Sequence, residues 1–478
     1  MQWVSVKKFT LLVLLFSCLR LPLALSQEFP RGAVLDENRY NSLPQKPVLT
    51  TRAYTALPPA VSLKPYAPLP GDQTVYGTCV AWASAYAART ISESVIINRR
   101  DRGLTTENVF SPAYVYKSIS DDPTCQSGTT IYEARDLMKA KGAAKMLSIE
   151  RDMDFKKIIL SLFAESRTYP IGDYVTLYRN DLDWNGQARK GPTHVQMVKK
   201  SLSEQKPVII GMNTPSSFMS AETIWRPRED PDDYYGGHAM CVIGYDDAKY
   251  GGAFEVQNSW GKKWGNSGYI WIPYNAFNAW VLESYEIIEN LAAYNDTHQY
   301  SGFAEIELFN PGQGPSNMPV EFTAEGYYRS VDSYPSGTEF RFLMGNSNPA
   351  YVYAFAADSS AAATTAIFPP PGSSVSPVLD YSENTILWPG EQQWIRLDET
   401  PGTDYLVILY AKQALDMGTI RRRFEQAQGA FPERVAQAVG SDYIPPKNGV
   451  YEGSEIRFNA RTENSKAVFS LLLAIEHR

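Results

Sequence analysis

Three separated segments of the 478-residue chain carry side chains that together could attack a carbonyl group. Cys79 precedes an Ala-rich apolar run, His238 follows two glycines, and Asn258 follows an apolar strand pattern. A thiol attacks a carbonyl as the thiolate, and a helix N-terminus and a neighbouring imidazolium both favour that ionised form. A side-chain amide can fix the orientation of such a histidine. The sequence therefore predicts a Cys79–His238 pair oriented by Asn258.

The same reaction needs hydrogen-bond donors for the oxyanion that forms on the attacked carbonyl. The backbone N–H of Cys79 and the side-chain amide of Gln73, six residues earlier, are the candidates. Each such donor stabilises the transition state by roughly 3 kcal/mol. Taken alone, Cys79 would more often be a buried small apolar residue, and His238 a strand histidine that bonds a carbonyl. Their occurrence in order with Gln73 and Asn258 favours catalysis.

The motifs that contain these residues resemble the active-site segments of papain-type cysteine peptidases. They are Gln73-Thr-Val-Tyr-Gly-Thr-Cys79, His238-Ala, and Asn258-Ser-Trp-Gly-x-x-Trp-Gly. The resemblance covers about residues 57–290 and implies an α+β fold with a helical lobe, a β-barrel-like lobe and a cleft between them. It also implies a role for each residue: Cys79 as nucleophile, His238 as general base and acid, Asn258 as the group that orients His238, Gln73 as oxyanion donor, and Trp260 as the aromatic cover of the Asn–His contact.

Two further residues are expected to bind the substrate backbone beside Trp260. Gly237 precedes the histidine, where the absence of a side chain would admit a peptide. Cys125-Gln-Ser-Gly128 resembles the glycine-containing loop that holds the substrate in this family. The usual disulfide to Cys125 cannot form, because Tyr76 replaces its cysteine partner. This difference, with Val80 in place of the usual tryptophan, places the chain nearer the bacterial branch of the family.

Changes of composition along the chain predict several segments. Helical patterns at 80–91, 111–118, 131–141 and 195–204 come before strand patterns at 208–212, 238–245 and 253–257. Beyond about residue 290 short aromatic-rich strands are separated by Gly, Pro and Ser turns. The predicted organisation is a signal peptide at 1–26, a short leader or linker at 27–56, a papain-like peptidase domain at 57–293, a linker at 294–317 and a C-terminal β-rich domain at 318–478.

The C-terminal segment is expected to form a β-sandwich-like domain with one helix. Its predicted strands span 320–322, 339–343, 351–356, 385–388, 394–397 and 405–410, and the helix spans 417–438. The segment resembles an uncharacterised β-rich domain appended to bacterial exported peptidases and signalling proteins, a resemblance that assigns no chemistry. Its aromatic residues are expected to lie in the core, with a partner-binding surface as the alternative.

The first 26 residues have the pattern of a secretory signal. Lys7 and Lys8 precede an apolar run at 9–18, and small residues suit a cleavage before Gln27. Arg20 interrupts the run well short of the ~20 residues that a membrane span needs. We therefore expect a secreted or periplasmic protein without a transmembrane segment after signal removal. Lipid attachment at Cys18 is a less favoured alternative.

Composition excludes several other classes of function. A net charge of −7 without a basic stripe gives no indication of nucleic-acid binding. Cys125 and Cys241 are expected to be structural, and the four histidines share no spaced ligand motif, so neither a metal nor another cofactor is expected.

The favoured function is an endopeptidase, a hydrolase that acts on protein or peptide substrates through a thioester acyl-enzyme. One alternative is a degenerate peptidase fold that serves as a secreted binding or adhesion module. A second alternative is a Cys-His acyltransferase, which differs only in the acceptor at the deacylation step.

Overall fold

The protein was analysed as a computed structural model. It describes residues 28–146, 168–178, 192–290, 299–358, 363–381, 384–446, 449–451, 455–462, 464 and 466–478. The predicted signal peptide, which includes Cys18, lies outside the described residues. Within the described ranges, no helix is long and apolar enough to cross a membrane.

The part of the chain up to residue 288 mixes helices with one large antiparallel sheet. Local capping explains several helix starts: Thr130 and Glu133 form a capping box, as do Thr193 and Gln196, and the Asp101 carboxylate accepts two backbone N–H groups. The helices are α1 Glu37–Ser42, α2 Arg52–Thr55, α3 Cys79–Ala81, α4 Thr90–Ile96, α5 Arg102–Glu107, α6 Pro112–Ile119, α7 Ile131–Ala140, α8 His194–Ser203, α9 Ser216–Met219 and α10 Tyr274–Trp280. Single 3₁₀ turns occur at Lys64–Tyr66 and Lys249–Gly251.

The helix that begins at Cys79 is the central element of this part. Between α3 and α4 the chain winds as a π-helix over Trp82–Arg89, so that one continuous helical segment runs from Cys79 to Ile96. Its alanine-rich surface is buried along nearly the whole length, as the apolar pattern at 80–91 predicts. The segment packs against strands β5 and β6 of the sheet, defined below. Cys79 therefore lies at the junction of helix and sheet.

The sheet has the strand order β4-β9-β5-β6-β7-β8, with β1 paired to β6. Because β6 and β7 are antiparallel, with Cys241 opposite Gln257, the start of β6 lies beside the end of β7. His238 and Asn258 therefore share one end of the sheet. The strands are β1 Ala60–Ser62, β2 Ala143–Ala144, β3 Thr168–Tyr169, β4 Asp173–Thr176, β5 Val208–Asn213, β6 Gly237–Asp246, β7 Ala253–Gln257, β8 Tyr269–Pro273 and β9 Val281–Ile288, of which β2 and β3 form a separate pair.

The C-terminal part consists mainly of two further sheets. One has the order β18-β14-β10-β22-β21, with β11 paired to β10 and β19 paired to β14. The other has the order β12-β13-β23-β20-β15-β16, with β17 paired to β15. Side chains from the two sheets pack together, as in the contacts of Tyr410 with Phe458 and of Tyr300 with Phe469. Its strands are β10 Gln299–Leu308, β11 Ser316–Asn317, β12 Val320–Phe322, β13 Tyr328–Tyr334, β14 Glu339–Asn346, β15 Ala350–Asp358, β16 Thr364–Phe368, β17 Val378–Leu379, β18 Asn384–Trp388, β19 Ile395–Arg396, β20 Gly402–Ala411, β21 Val450–Tyr451, β22 Ile456–Arg461 and β23 Val468–His477.

Three sequence-based expectations differ from the structure. The helix predicted at 417–438 is two helices, α11 Met417–Gln426 and α12 Phe431–Val439, because Gly429 adopts a φ of +105° between them. Strand β10 occupies residues 299–308, inside the segment predicted as a linker. The leader also contains α1 and α2, although its sequence shows no helical period.

Substitution of Leu409 by alanine should test the core of the C-terminal part. Leu409 is fully buried on β20, between β15 and β23. The resulting cavity should reduce the free energy of unfolding of this part by about 2–5 kcal/mol, measurable as a lower midpoint in calorimetry. Val331→Ala, on the exposed side of β13, serves as the control and should change the midpoint little. Equal shifts for both variants would contradict the assignment of β20 to the core.

Candidate functional site

The Cys79 thiol lies between the first turn of α3 and the start of β6. The residue is fully buried, and the backbone N–H of Ala239 donates to its Sγ at 3.5 Å. Because Ala239 directly follows His238, this contact places the thiol beside the histidine. The two residues, 159 positions apart in the sequence, are thus brought together by the packing of α3 on β6.

The hydrogen bonds of Asn258 determine which nitrogen of His238 carries the proton. Nε2 of His238 lies 2.8 Å from Oδ1 of Asn258, and the backbone N–H of Ser259 donates to that same oxygen at 2.7 Å. Since a backbone N–H only donates, the atom it contacts must be the amide oxygen, and His238 Nε2 must be the donor. The lone pair therefore resides on Nδ1, which is buried and has no hydrogen-bond partner among the described residues. Nδ1 is the nitrogen left to accept the thiol proton.

Trp260 covers the contact between His238 and Asn258. Its ring stacks on the imidazole with centroids 4.3 Å apart and an interplanar angle of 23°. Trp264 and Phe218 pack edge-on or tilted against this ring system. The His–Asn hydrogen bond is consequently shielded from water, which strengthens it.

Gln73 is fixed with its amide nitrogen directed along the cleft. Its Oε1 accepts from the hydroxyl of Ser259 at 2.6 Å, and its backbone N–H donates to the Ser259 carbonyl at 2.8 Å. Nε2 donates to the Tyr76 carbonyl at 2.8 Å and to the Pro30 carbonyl at 3.2 Å. The second contact shows that this amide can reach a carbonyl oxygen of a peptide that lies in the cleft.

A peptide of this kind is present, because residues 28–35 of the leader cross the site. We refer to them as the leader strap. The N–H of Ala33 donates to the Gly237 carbonyl at 3.1 Å, and the N–H of Val34 donates to the Thr129 carbonyl at 2.9 Å. The strap pairs with Thr129 in a parallel sense. It therefore occupies the groove between the loop before α7 and the start of β6.

Gly32 of the strap lies beside the nucleophile. Its N–H is directed at the Cys79 sulfur, and its carbonyl accepts from the N–H of Thr129 at 2.9 Å. A Cβ on Gly32 would lie 2.0 Å from the carbonyl oxygen of Gly77, so that no larger residue fits without a backbone shift.

The two glycines predicted to bind substrate lie directly under the strap. A Cβ on Gly128 would lie 3.0 Å from Cγ2 of Val34, and a Cβ on Gly237 would lie 2.1 Å from the Ala33 carbonyl oxygen. Both positions therefore border the groove that a bound peptide occupies.

The N-terminal end of the strap is held by aromatic and polar contacts. The Phe29 ring stacks on Trp260 with centroids 4.8 Å apart, and the Trp260 indole N–H donates to the Pro30 carbonyl at 3.0 Å. The Arg31 guanidinium donates to the carbonyls of Thr214, at 2.9 Å, and of Tyr235. These contacts anchor the N-terminal end of the strap to Trp260 and to the segments around Thr214 and Tyr235.

Burial beneath the strap keeps both catalytic candidates uncharged. Burial raises the pKa of Cys79 to about 11, against the opposing effect of the backbone N–H groups of Ala239 and Gly32. Burial also lowers the pKa of His238 to about 4, the hydrogen bond to Asn258 raises it, and the positive charge of Arg31 lowers it further. At neutral pH the pair is therefore a thiol and a neutral imidazole in this closed state.

All seven site residues expected from the sequence converge on this cleft. Sequence reasoning missed the leader strap, Thr129, and Ser259, which links Gln73 to Asn258. Ser259 was identifiable as a neighbour of Asn258, but the strap shows neither a periodic pattern nor a motif.

The remaining thiols lie apart from this chemistry. Cys125 and Cys241 are buried and unpaired, and burial raises the pKa of Cys241 well above its usual range. Within the part of the chain that the structure describes, no group of three or more His, Cys, Asp or Glu side chains is arranged to hold a metal ion.

Comparison with known proteins connects this segment to one family. Residues 72–289 match the model of the papain family cysteine proteases. An uncharacterized peptidase C1-like protein, L477, of Acanthamoeba polyphaga mimivirus is 32% identical over 100 residues, which cover 19% of this chain and 32% of that protein. The match thus spans about a third of that relative's length. These findings support a papain-family cysteine peptidase domain.

The solved structures that are similar to about half of the chain include two cysteine proteases from different organisms. Xylellain, a cysteine protease from Xylella fastidiosa, has a TM-score of 0.40 at 20% identity and covers 54% of this chain and 96% of its own. ProCathepsin B S9 from Trypanosoma congolense has a TM-score of 0.41 at 16% identity and covers 55% of this chain and 87% of its own.

The raised pKa of Cys79 predicts an unusual titration of its thiol. With the strap in place, the thiolate fraction of Cys79 should rise about tenfold per pH unit from pH 7 to pH 10 and reach one half only near pH 11. The ultraviolet absorbance of the thiolate, taken as the difference between the wild type and Cys79→Ala, measures this fraction at each pH. A midpoint near the ordinary thiol value of 9.0 would contradict the prediction.

Proposed function

We propose that the chain is a cysteine peptidase that hydrolyses peptide bonds with Cys79 as the nucleophile. The observation that carries the proposal is the fixed tautomer of His238: its Nε2–H donates to Asn258, and its Nδ1 is buried without a hydrogen-bond partner among the described residues, one residue before the N–H that contacts the Cys79 sulfur. This is the arrangement that general-base activation of a thiol requires. The papain-like segment also supports two lobes with the cleft between them.

The acylation step follows from this geometry. Nδ1 of His238 accepts the thiol proton, and the Cys79 thiolate attacks the carbonyl carbon of the substrate. The oxyanion accepts hydrogen bonds from the Cys79 N–H and from Nε2 of Gln73. The C–N bond then breaks, the imidazolium gives its proton to the leaving amine, and a thioester remains on Cys79.

Deacylation reverses the proton transfers. Nδ1 of His238 takes a proton from a water molecule, and the resulting hydroxide attacks the thioester carbonyl. The C–S bond breaks, Cys79 leaves and recovers its proton from His238, and a carboxylic acid is released. The hydrogen bond to Asn258 holds the ring in the same orientation throughout both steps.

The closed cleft represents a latent form of this enzyme. The strap lies where a substrate would bind, and its Pro30 carbonyl accepts the hydrogen bond of the Gln73 amide. Burial beneath it keeps Cys79 and His238 uncharged. Activity therefore requires displacement or cleavage of residues 28–35.

We also propose that the protein acts outside the cytoplasm, on the basis of the signal-like pattern at residues 1–26. Protein or peptide substrates are expected from the family match. No observation favours the binding module or the acyltransferase over hydrolysis.

Replacement of Gly32 by valine should open the cleft. The added side chain would collide with the Gly77 backbone, and overpacking of this kind costs about 1–3 kcal/mol, so that Cys79 should react with iodoacetamide roughly tenfold faster. Val34→Thr is the matched control, because this neighbouring side chain is partly exposed and threonine has a similar size. Unchanged labelling of the Gly32→Val protein would show that the strap does not limit access.

Loss of the thiol should abolish turnover. In the Gly32→Val background, Cys79→Ala should leave no measurable cleavage of a denatured protein substrate, and Cys241→Ala should retain it. The measurement is release of new amino groups over time, together with covalent labelling of Cys79 by an epoxysuccinyl reagent. Cleavage that survives Cys79→Ala would exclude the proposed nucleophile.

A further inference from the structure

The leader continues past the strap into the boundary between the peptidase segment and the C-terminal part. We refer to residues 44–51 as the clamp segment. On one side the N–H of Lys46 donates to the Thr176 carbonyl at 2.8 Å, and the Thr176 N–H donates to the Pro44 carbonyl at 2.8 Å. Main-chain pairing with the edge strand β4 thus attaches the clamp segment to the peptidase sheet.

On its other side the clamp segment pairs with the C-terminal part. The N–H of Gln45 donates to the Ser374 carbonyl at 2.7 Å, and the Ser376 N–H donates to the Gln45 carbonyl at 2.7 Å. Gln45 therefore forms a parallel bridge to each part of the protein. The clamp segment therefore lies between the two parts, with one edge of its backbone hydrogen-bonded to the peptidase segment and the other edge to the C-terminal part.

The end of the clamp segment makes further contacts with the C-terminal part. The N–H of Thr50 donates to the Thr385 carbonyl at 3.3 Å. The N–H and the hydroxyl of Thr51 each donate to one carboxylate oxygen of Glu391, both at 2.6 Å.

A buried cluster of four charges joins the same three pieces of chain. Lys46 of the leader pairs with Glu286 of β9 and, at 2.9 Å, with Asp380 of the C-terminal part. Lys206 pairs with Asp380 and, at 3.3 Å, with Glu286. The Lys46 ammonium also lies 3.5 Å from the centroid of the Tyr381 ring. The two ammonium groups and two carboxylates neutralise one another only when the leader, the peptidase segment and the C-terminal part are packed together.

This balance makes Asp380 the residue on which the docking depends. The side chains of Lys46 and Glu286 are 1% and 0% exposed. Burial alone would raise the pKa of Asp380, but the ammonium groups of Lys206 and Lys46 outweigh that effect and hold the pKa well below its usual range. Removal of one partner from a buried ion cluster leaves an uncompensated charge, which is costly.

The clamp segment is joined to the strap by a short and well-anchored connection. Between them lies only α1 with its flanking residues, and Tyr40 of α1 donates its hydroxyl to the Tyr178 carbonyl at 2.7 Å and to the Ser284 carbonyl at 3.1 Å. The N–H of Asp36 donates to the Glu283 carboxylate at 2.9 Å. A strap tethered this closely is presented to the cleft at a high effective concentration.

We propose that the C-terminal β-rich domain holds the leader in its inhibitory position, so that its docking on the clamp segment controls access to Cys79. The inference rests on the proposed function, since closing the cleft restrains a peptidase. The C-terminal part thereby keeps the peptidase latent. Main-chain pairing with the clamp segment and the buried charge cluster hold it in place. Loosening of this docking releases the strap from a distance.

The test is the full-length Asp380→Asn protein. Asparagine keeps the shape of the side chain and removes the charge that Lys46 and Lys206 share. Iodoacetamide labelling of Cys79 should become roughly fivefold or more faster than in the wild type, within the range of typical coupling between sites. Glu339→Gln is the control, because it removes a carboxylate from the Glu339–Arg396 ion pair of the same part, in which no leader residue takes part.

The two other cysteines among the described residues separate release of the strap from general unfolding. Cys125 and Cys241 are both buried, so that release of the strap should accelerate labelling at Cys79 but not at Cys241. Unchanged labelling of Cys79 in a folded Asp380→Asn protein would overturn the proposal. If all three thiols react faster together, Glu391→Gln replaces the variant, because that carboxylate contacts the leader from an exposed position. A rate equal to the wild type in Glu391→Gln would then overturn the proposal.

Labelling requires no turnover, which keeps this result separate from the proposed function. If labelling of Cys79 accelerates in Asp380→Asn while the opened Gly32→Val protein cleaves no substrate, the proposed role of the C-terminal domain is supported and the peptidase assignment is wrong. If the opened Gly32→Val protein cleaves substrate while Cys79 of Asp380→Asn is labelled at the wild-type rate, the peptidase assignment is supported and the proposed role of the C-terminal domain is wrong.

Discussion

The hydrogen bond between His238 and Asn258 is the constraint on which the site depends. It exists because β6 and β7 are antiparallel neighbours, so that the first residues of one strand and the residue after the other meet at one end of the sheet. The Ser259 backbone N–H fixes the amide oxygen, the oxygen fixes the histidine tautomer, and the tautomer leaves Nδ1 for the thiol. The first of these steps is imposed by a backbone N–H, and the second is a hydrogen bond between two buried side chains.

The components of this site were predictable because each is encoded by a local pattern. Cys79 precedes an apolar helix, His238 begins a strand, and the order of the motifs resembles one known family. The helix at 417–438 was extended too far because its apolar pattern continues across Gly429, whose positive φ breaks the helix. Strand β10 was assigned to a linker because Gly302 and polar residues interrupt its apolar alternation. That glycine is required by packing, since a Cβ there would lie 2.4 Å from the Tyr410 ring.

The leader strap could not be predicted for a different physical reason. Its conformation is not set by its own residues, because residues 28–35 form neither a helix nor a strand of their own and are too few to show a period. The cleft imposes it, through the Gly237 and Thr129 carbonyls and the Trp260 ring. A segment whose conformation is imposed by residues far away in the sequence shows no periodic pattern of its own. The exception is a small residue such as Gly32, where the strap backbone lies close to the Gly77 backbone.

Closure and activation are linked through the same atoms. The Gln73 amide that would bind the oxyanion bonds the Pro30 carbonyl, and the burial that hides Cys79 also raises its pKa and lowers that of His238. Departure of the strap would therefore return an oxyanion donor, admit water around both groups and remove the positive charge of Arg31 from the histidine. Desolvation is the largest contribution to both pKa shifts, so these changes favour the charged pair. Departure of the strap thus restores substrate access to Cys79, the oxyanion donor of Gln73 and the charged form of the Cys79–His238 pair together. No single substitution of a catalytic residue could produce all three effects.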